Sequence, residues 1–600
     1  MKLKKLLYIS AVIATGTLLT GCNDFLDEDP RGLTNTGDFY QNELQARQGL
    51  NGVYRNLGQS NVTGHEIKQV PTDLAKRASW DAAEGLGDYP FGAENSHIAT
   101  MWEGHYGGIK DCNSVIDNVT ENAEKIDNWE RYVAQARGIR AYLYFDLVRW
   151  FGDVPLVIKD TRSLHGLEVP RTPKAEVFKQ IIEDLQYCID HSMEKGDVDN
   201  GYQYGRLTCD AARGILAKVH LWLGSVAQRD GQPVLEADTT HFRKTLDLCT
   251  EIIKGGRYSL CEYYPDVFDA KTKNEAQKEV LFCTEGLTGD NTGSWVGMLF
   301  GIRGSQEYGG SWDNISSSDY HRMLYEPTDS VRRLWNCPRV QILEDGKLWG
   351  WDYPCYWDTR SDQKLSEGVE SNNWVQWSIG KFRRYPLADP ESYNYTNFGM
   401  DEPLLRYADI LLMYAEAYNE VNHGPGTYRP LNGMALDGSN ITNAYDAVNI
   451  VRRRARISNE GIIHEDPMPR VLNTALGNRY TQCVPDWRPN SLGRIYDGQR
   501  TTNDYYGYSD EYQAFRQEIL NERARELVGE CTDRWCDLVR RGRLVDQFQQ
   551  WRVYNPFISA TERGVNNPGA PENVSTKHML LPIPQGEIDV NPKLTQNPGY

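Results

Sequence analysis

The sequence lacks the short motifs by which most catalytic and metal sites are recognised. It contains no His-Glu-x-x-His, no Gly-x-Ser-x-Gly, no Gly-x-x-x-x-Gly-Lys and no Cys-x-x-Cys, and its 11 histidines form no cluster at metal-ligand spacing. A glycoside hydrolase needs only two carboxylates about 5 to 10 Å apart, and 83 acidic residues leave that class open. The sequence therefore gives no positive sign of a cofactor, a metal or an enzymatic activity.

Positive charge is also in short supply. The chain has 65 Lys and Arg residues against 83 Asp and Glu residues, a formal net charge of -18. A nucleic-acid partner normally requires a basic face that displaces counterions from the phosphates, so this balance argues against one. The hydrophobic share of 40% and the charged share of 25% are ordinary for a folded globular protein.

The apolar stretch at the N-terminus is shorter than the roughly 20 residues that span a bilayer. It runs from Leu6 to Leu19 behind a lysine-rich start, which is the arrangement of a signal peptide. The stretch leads into Leu19-Thr20-Gly21-Cys22, which resembles the bacterial lipobox, so residues 1–21 are predicted to be a signal peptide and Cys22 to be lipidated. The acidic run over residues 24–29 resembles the signal that sends lipoproteins to the outer leaflet of the outer membrane. The alternative is an ordinary secreted protein with a chance cysteine.

The other eleven cysteines lie between Cys112 and Cys536 without a repeated short spacing. An odd number at irregular spacing favours neither a zinc ribbon nor a redox pair. We expect most of them to be small, buried hydrophobic side chains.

One apolar stretch, Pro403 to Val421, organises the rest of the chain. Its polar side chains Arg406, Asp409, Glu416 and Glu420 fall on one narrow stripe, and apolar side chains cover the remaining circumference. The pattern predicts a helix that begins in the Asp401-Glu402-Pro403 turn and is wrapped by other helices. Arg406 and Asp409 are predicted to form a structural ion pair with each other on this helix.

Helical periodicity recurs on both sides of this stretch. It predicts further helices that are separated by turn signals and that pack as antiparallel pairs, as in tetratricopeptide-like solenoids. The predicted helices are Leu44 to Leu57, Trp129 to Phe151, one beginning at Thr172-Pro173, one capped by Thr208, Phe242 to Ile253, Thr442 to Ile457 and Glu511 to Val528. On the Thr442 helix, the cluster Arg452 to Arg456 is predicted to lie mostly on the outer face, solvated or paired with nearby carboxylates, rather than to form an anion site.

Residues 260–400 have a different character. Long amphipathic patterns disappear, and eight of the sixteen tryptophans occur here. Large aromatic side chains in an irregular segment are typical of a binding surface carried by a rigid scaffold. For any single tryptophan, a packed loop anchor is as reasonable as a ligand contact.

Taken together and in order, several segments resemble the SusD/RagB family of outer-membrane lipoproteins. The matching segments are the lipobox at Cys22, Arg140–Leu147 running into Gly152-Asp153-Val154-Pro155, Arg171-Thr172-Pro173, Leu405–Ala417, Arg452–Arg456, Glu522–Leu527, Pro582-Ile583-Pro584 and Gln596–Tyr600. They cover both ends of the chain, while the aromatic middle matches no fixed family motif.

The resemblance implies a mainly α, SusD-like fold with tetratricopeptide-like helix pairs as scaffold and an irregular, loop-rich ligand-binding region. The expected parts are an N-terminal helical part over 22–260, the aromatic-rich binding part over 261–400 and a C-terminal helical part over 401–600, with 22–600 forming one compact domain. Such proteins act as a lid over a SusC-like TonB-dependent transporter, are anchored by lipid at the outer membrane surface, and bind glycan without chemistry of their own.

A sugar ring presents a face of C–H groups and a rim of hydroxyls, so aromatic platforms with polar neighbours suit it. The candidate ligand residues are Trp80, Trp295, Tyr308, Trp312, Trp351 and Trp357, with Asp73, Arg77 and Asp313 as polar partners. The group of Asp73, Arg77 and Trp80 is included because its position resembles that of the family's N-terminal ligand loop. The alternative function is capture of peptides by a RagB-like member of the same architecture, and the abundance of tryptophan favours glycan.

Overall fold

The computed structural model describes most of the chain, in a series of ranges separated by gaps. They are residues 39–58, 64–77, 85–87, 89–161, 168–225, 238–286, 294, 296–300, 312, 314–318, 320–321, 324–325, 329–337, 341–342, 348–349, 377–382, 399–430, 435–460, 495–496, 501–502, 510–530, 534–553 and 573–600.

The described residues are mainly helical. The α-helices are α1 Glu43–Leu57, α2 His65–Gln69, α3 Ser96–Glu121, α4 Trp129–Phe151, α5 Lys174–His191, α6 Cys209–Gly224, α7 Thr239–Gly255, α8 Lys273–Ala276, α9 Val296–Leu299, α10 Ser330–Asn336, α11 Tyr407–Asn422, α12 Ala444–Glu460, α13 Glu511–Leu527, α14 Arg534–Arg540, α15 Leu544–Val553 and α16 Gln585–Val590. The strands are β1 Ala75–Arg77, β2 Val280–Thr284, β3 Ile315–Ser317, β4 Gln341–Ile342, β5 Leu348–Trp349, β6 Trp377–Ser378, β7 Glu402–Arg406, β8 Ile495–Tyr496 and β9 Thr501–Thr502.

The helices form a continuous packed series. From α3 to α7 each helix packs on the next one along the chain, and α11 then packs on α7 and also contacts α12 and α13. The predicted mainly α scaffold is confirmed, and several predicted ends are confirmed with it. Thr208 caps α6, where its hydroxyl accepts from the Ala211 N–H at 3.1 Å. Gly152 ends α4 with a positive φ of 74°, a conformation that favours glycine.

The longest described helix, α3, was not predicted from the sequence. Glycines lower helix propensity, and Gly107 and Gly108 interrupt its apolar pattern. The structure gives a packing reason for Gly108, because a Cβ there would lie 2.8 Å from Leu143 Cδ1 of α4. Gly108 therefore lowers the local helix propensity but allows α3 and α4 to approach each other closely.

The predicted start of the central helix is wrong. Residues Glu402–Arg406 form β7, which pairs antiparallel with β2, and the helix α11 begins only at Tyr407. Pro403 opposes Cys283 beside an irregularity in the β2–β7 register, a place where a sheet tolerates a residue without an N–H. These residues therefore pair as a strand, although their local pattern predicts the start of a helix.

The polar stripe of α11 faces other helices, as expected for a helix that is surrounded by helices. Glu416 accepts from Arg540 of α14 at 2.6 and 2.7 Å, and Glu420 accepts from Arg516 of α13 at 2.8 Å. The predicted pair of Arg406 with Asp409 is wrong, however. Asp409 instead pairs with Arg523 at 2.6 Å and with Lys218 at 2.8 Å, because Arg406 ends the preceding strand and lies outside the helix.

Arg406 is the centre of a buried network of charges. Its guanidinium donates to Glu279 at 2.6 Å, to Glu526 at 2.7 Å and to Glu530 at 2.8 Å. Arg454 joins the same Glu279 and Glu526. All five side chains are almost completely buried.

More side chains extend this network into the segment before β7. Arg332 of α10 donates to Glu522 and Glu526, both at 2.9 Å. Lys381 donates to Glu530 at 2.7 Å. A buried ion must be matched by opposite charge and hydrogen bonds, and this network supplies both across α10, α12, α13 and β7.

The prediction that the Arg452–Arg456 cluster lies mostly on the outer face is therefore wrong for two of its members. Arg452 and Arg454 are completely buried, and they pair with Glu522 and with Glu279 and Glu526 respectively. Helical periodicity places these arginines on the side of α12 opposite its alanine and valine face. That side is buried as well, because glutamates from other segments pack against it.

The cysteine prediction is confirmed within the described residues. Cys112, Cys188, Cys209, Cys249, Cys261, Cys283, Cys337 and Cys536 are all buried and free. Burial is the main cause that raises the pKa of the Cys112 and Cys188 thiols well above its ordinary value, so these thiols stay protonated and behave as small hydrophobic groups.

Replacing Arg406 by Ala should destabilise the protein strongly. Three buried carboxylates would lose a shared cation, and breaking a buried pair on one side costs about 3–5 kcal/mol. The free energy of unfolding from urea denaturation measures this. The control is Lys278→Ala, which breaks an exposed pair with Glu275 and should cost less than about 1 kcal/mol. Equal small losses in both variants would contradict the central role of the network.

Acid should unfold the protein by protonating the buried carboxylates. Burial alone would raise the pKa of Glu416 and Glu526, but the arginines beside them lower it from 4.5 to about 2. Because these folded pKa values lie below those of the unfolded chain, the stabilisation is complete above about pH 5 and is lost as the pH falls towards 2. Urea midpoints should stay nearly constant between pH 7 and about pH 5 and should fall as the pH is lowered from there to pH 3. Midpoints that stay constant over this range would show that the carboxylates do not carry the stability.

Candidate functional site

A small antiparallel sheet brings together two segments that the sequence separates by more than two hundred residues. The sheet has the order β1-β3-β6, with Ala75 opposite Ser317 and Arg77 opposite Ile315. On the other side of β3, Trp377 of β6 lies opposite Ser317. The chain thus leaves β1 at the same end of the sheet at which it enters β3.

Two of the predicted ligand residues lie on the chain near this end of the sheet. Arg77 is the last residue of β1, and Trp312 comes three residues before β3. Trp312 is 36% exposed, one of the few large hydrophobic residues of the described chain that reach solvent, and its backbone N–H donates to the Met298 carbonyl at 3.0 Å. An aromatic side chain fixed through its backbone and open to solvent is suited to stack on a flat ligand face.

The other candidate residues cannot be placed. Trp80, Trp295, Tyr308, Trp351, Trp357, Asp313 and the lipidation candidate Cys22 lie outside the described residues. Their predicted roles remain predictions.

Asp73 is brought to the base of the sheet rather than to its surface. Its side chain is completely buried, and its two oxygens accept from Nε and Nη2 of Arg534 at 2.8 and 2.5 Å. Its backbone carbonyl accepts from the Ser318 hydroxyl at 2.5 Å. In this structure the carboxylate is engaged inside the protein, where it ties the start of β1 to α14 and to the end of β3.

A buried cluster of polar side chains that the sequence did not predict begins at Ser317 of β3. The Ser317 hydroxyl is 2.8 Å from His321 Nδ1, and His321 Nε2 is 3.0 Å from the Tyr325 hydroxyl. Burial, with the nearby Lys381 and Arg534, lowers the pKa of His321 to about 3, so the ring is neutral at physiological pH. Ser317 and His321 resemble part of a hydrolytic triad, but both are buried, so a substrate cannot reach them and they act as sheet support.

Trp335 shows that at least one tryptophan of the middle region is a packed anchor, although it lies in the helix α10 and not in a loop. It is almost completely buried, and its indole N–H donates to the Lys381 carbonyl at 3.0 Å. No local sequence signal separates this tryptophan from Trp312. Only the tertiary contacts of each segment decide which aromatic side chain reaches solvent.

The part of the chain that the structure describes contains neither a metal-binding cluster nor a membrane-spanning helix. Within it, no group of three or more His, Cys, Asp or Glu side chains has the arrangement needed to hold a metal ion. None of its helices has the length together with the apolar character required to cross a membrane.

Replacing Asp73 by Asn should lower stability even without any ligand. The substitution keeps the shape but removes the negative charge beside buried Arg534, and a cost of about 3 kcal/mol is expected from the unmatched cation. Urea unfolding of the ligand-free protein measures it. The control is Asp238→Asn at the exposed cap of α7, where Asn caps equally well and the change should be within about 0.5 kcal/mol. An unchanged Asp73→Asn variant would indicate a surface role instead.

Two family models match the chain. Residues 338–600 match the SusD family, and residues 24–221 match a family described as starch-binding and associating with the outer membrane. A SusD-like protein of Formosa agariphila is 25% identical over 621 aligned residues, covering 96% of this chain and 96% of that protein.

Solved structures agree with the fold. The crystal structure of a SusD homolog from Bacteroides thetaiotaomicron superposes with a TM-score of 0.69 at 20% identity, covering 94% of this chain and 98% of that one. A laminarin binding SusD-like protein superposes with a TM-score of 0.59 at 18% identity, covering 94% and 100%. With both ends of its sequence matched and its helical scaffold shared, the chain belongs to the SusD/RagB family.

Proposed function

We propose that this protein captures an oligosaccharide or polysaccharide at the cell surface and delivers it to a SusC-like TonB-dependent outer-membrane transporter. The observation that carries the proposal is the exposed Trp312 at the end of the β1-β3-β6 sheet, in a chain of the SusD/RagB family. A solved relative of the same fold is described as laminarin binding, which supports a glycan as the ligand class.

The physical basis of capture is stacking combined with hydrogen bonding. The C–H face of a sugar ring packs on an aromatic ring, and each such stack contributes on the order of 1 kcal/mol. The remaining candidates, Trp80, Trp295, Tyr308, Trp351 and Trp357, would supply further platforms, with Arg77 and Asp313 as hydrogen-bonding partners for the hydroxyls. Several modest contacts on one face would select a chain conformation without enclosing the polymer.

A rigid base under these contacts would limit the entropy lost on binding. The pair of Asp73 with Arg534 holds β1, and the bond from Trp335 to the Lys381 carbonyl holds the segment after β6. Arg534 belongs to α14, and the Lys381 ammonium donates to the Glu526 carbonyl of α13 at 2.8 Å, so the sheet is supported by the helical scaffold. We propose on the same grounds that residues 22–600 form one compact domain, since Glu279 and Arg332 of the 261–400 part pair with Arg454 and Glu526 of the 401–600 part.

We further propose that the protein is lipid-anchored at Cys22 and surface-exposed on the outer membrane, and that it binds its ligand without cleaving it. The matched family description associates such proteins with the outer membrane. The lipobox-like Leu19-Thr20-Gly21-Cys22 supplies the attachment point.

Affinity electrophoresis of residues 23–600 in gels containing soluble polysaccharides, laminarin among them, tests the proposal. One class of glycan should retard the protein, and no reducing sugar should be released. Replacing Trp312 by Ala should weaken binding about five- to tenfold, the equivalent of about 1 kcal/mol from one lost stack. The control is Trp129→Ala, a partly buried tryptophan at the start of α4 that is not part of the sheet.

Three results would overturn parts of this proposal. Calorimetric heat with a peptide digest, together with no retardation by any glycan, would favour peptide capture. Released sugar would identify an enzyme. Equal affinity of the Trp312→Ala variant and the unchanged protein would move the ligand away from the end of the sheet.

A further inference from the structure

A second polar cleft lies on the helical scaffold and shares no residue with the β1-β3-β6 sheet. It has a volume of about 440 Å³ and opens to solvent where the loop after α5, the end of α7, the segment from α8 to β2 and the turn at Asp437 meet. Binding pockets for small molecules commonly measure about 300 to 1,000 Å³. We call it the Lys195 cleft after the residue that dominates its chemistry.

Lys195 lines the cleft and makes no direct ion pair with a described carboxylate, although the charge of Asp210, which is paired with Arg257, acts on it from further away. Its ammonium donates to the Gln277 carbonyl at 2.6 Å and lies 4.0 Å from the centre of the Tyr258 ring. Burial is the main cause that lowers the pKa of Lys195 to about 8. A partly desolvated ammonium attracts an anion more strongly than an exposed one does.

The other two cations of the cleft are already paired. Arg257 donates to Asp210 through two nitrogens, at 2.5 and 2.9 Å. Lys278 lies 2.5 Å from Glu275 in an exposed pair. The positive charge that is left for a ligand is therefore concentrated on Lys195, with Lys278 at the rim as a weaker second source.

Neutral hydrogen-bonding groups surround this cation. Ser259, Asn274 and Gln277 line the cleft. Their side-chain polar atoms have no hydrogen-bond partner among the described residues. The Asp437 carboxylate also lines the cleft and accepts from the Ser439 backbone N–H at 3.0 Å through one oxygen. Donors of this kind, together with one carboxylate acceptor, suit a ligand with several hydroxyls.

We propose that the Lys195 cleft binds a small, hydroxyl-rich carboxylate, such as a single sugar-acid unit, with the carboxylate on Lys195 and the hydroxyls on Ser259, Asn274, Gln277 and Asp437. The volume admits one such unit and the open mouth allows exchange with solvent. The site is independent of glycan capture at the sheet, because it lies on a different part of the scaffold and selects by charge rather than by stacking.

Calorimetric titration of residues 23–600 with glucuronate and with glucose tests the proposal, since these two sugars differ only in the charged group. Glucuronate should bind at least tenfold more tightly than glucose. Replacing Lys195 by Met should remove that preference, and replacing the exposed Asn274 by Ala should weaken glucuronate severalfold without altering the fold. The matched control is Lys254→Met in the last turn of α7, which should bind as the unchanged protein does.

The Trp312→Ala variant separates this site from the sheet and should retain full glucuronate affinity. Equal affinity for glucuronate and glucose would overturn the proposal, as would a Lys195→Met variant that keeps the preference. Inorganic sulfate that displaces glucuronate at equal affinity would also overturn it, because the cleft would then recognise a bare anion and not a sugar acid. Urea midpoints of each variant verify that folding is intact.

Discussion

The structure depends on a buried assembly of opposite charges more than on any single apolar contact. Arg406 lies at its centre, between Glu279, Glu526 and Glu530. Arg454 also pairs with Glu279 and Glu526, and Arg332 also pairs with Glu526. In a medium of low dielectric constant each of these ions would be strongly unfavourable alone, and the assembly persists only because every member is matched. A network of this kind tolerates few alternative arrangements, so it specifies how the segments around it must meet.

The segments that meet there are those that differ most in character. Glu279 precedes β2, Arg332 belongs to α10 and Lys381 follows β6, all within the irregular and aromatic-rich part of the chain. Arg454 and Glu526 lie on α12 and α13 of the regular scaffold. Charge pairing thus joins a region whose described helices are short to one built of packed long helices. Apolar periodicity alone would give little specificity to this junction. The same fastening holds the base of the β1-β3-β6 sheet, while Trp312 at its end remains open to solvent.

The two candidate binding surfaces use this scaffold in different ways. Trp312, three residues before β3, presents an exposed aromatic side chain near the end of the sheet, which suits stacking on an extended polymer. The Lys195 cleft presents one ammonium without a direct ion-pair partner beside neutral hydrogen-bonding side chains and the Asp437 carboxylate, which suits a small anion that carries hydroxyls. The proposed capture of a polymer and the proposed selection of a charged unit therefore rest on separate parts of one fold.

The sequence by itself determined the helical scaffold and most of its limits. Apolar residues at helical spacing, a threonine cap at Thr208 and a glycine stop at Gly152 are local signals, and the structure follows them. Family membership was also readable, because it rests on ordered segments at both ends of the chain.

Only the tertiary structure decided which charges are buried and which aromatic side chains are exposed. Arg452 and Arg454 occupy the polar side of an amphipathic helix, yet they are enclosed because glutamates from distant segments come to meet them. The local pattern of residues 402–406 predicts the start of a helix, but these residues form β7, which pairs with β2. The carboxylate of Asp73, a predicted ligand partner, is buried and pairs with Arg534, and Trp335 is buried while Trp312 is exposed. Each of these outcomes depends on a partner far away in the sequence, and a local pattern holds no information about the partner that long-range packing will supply.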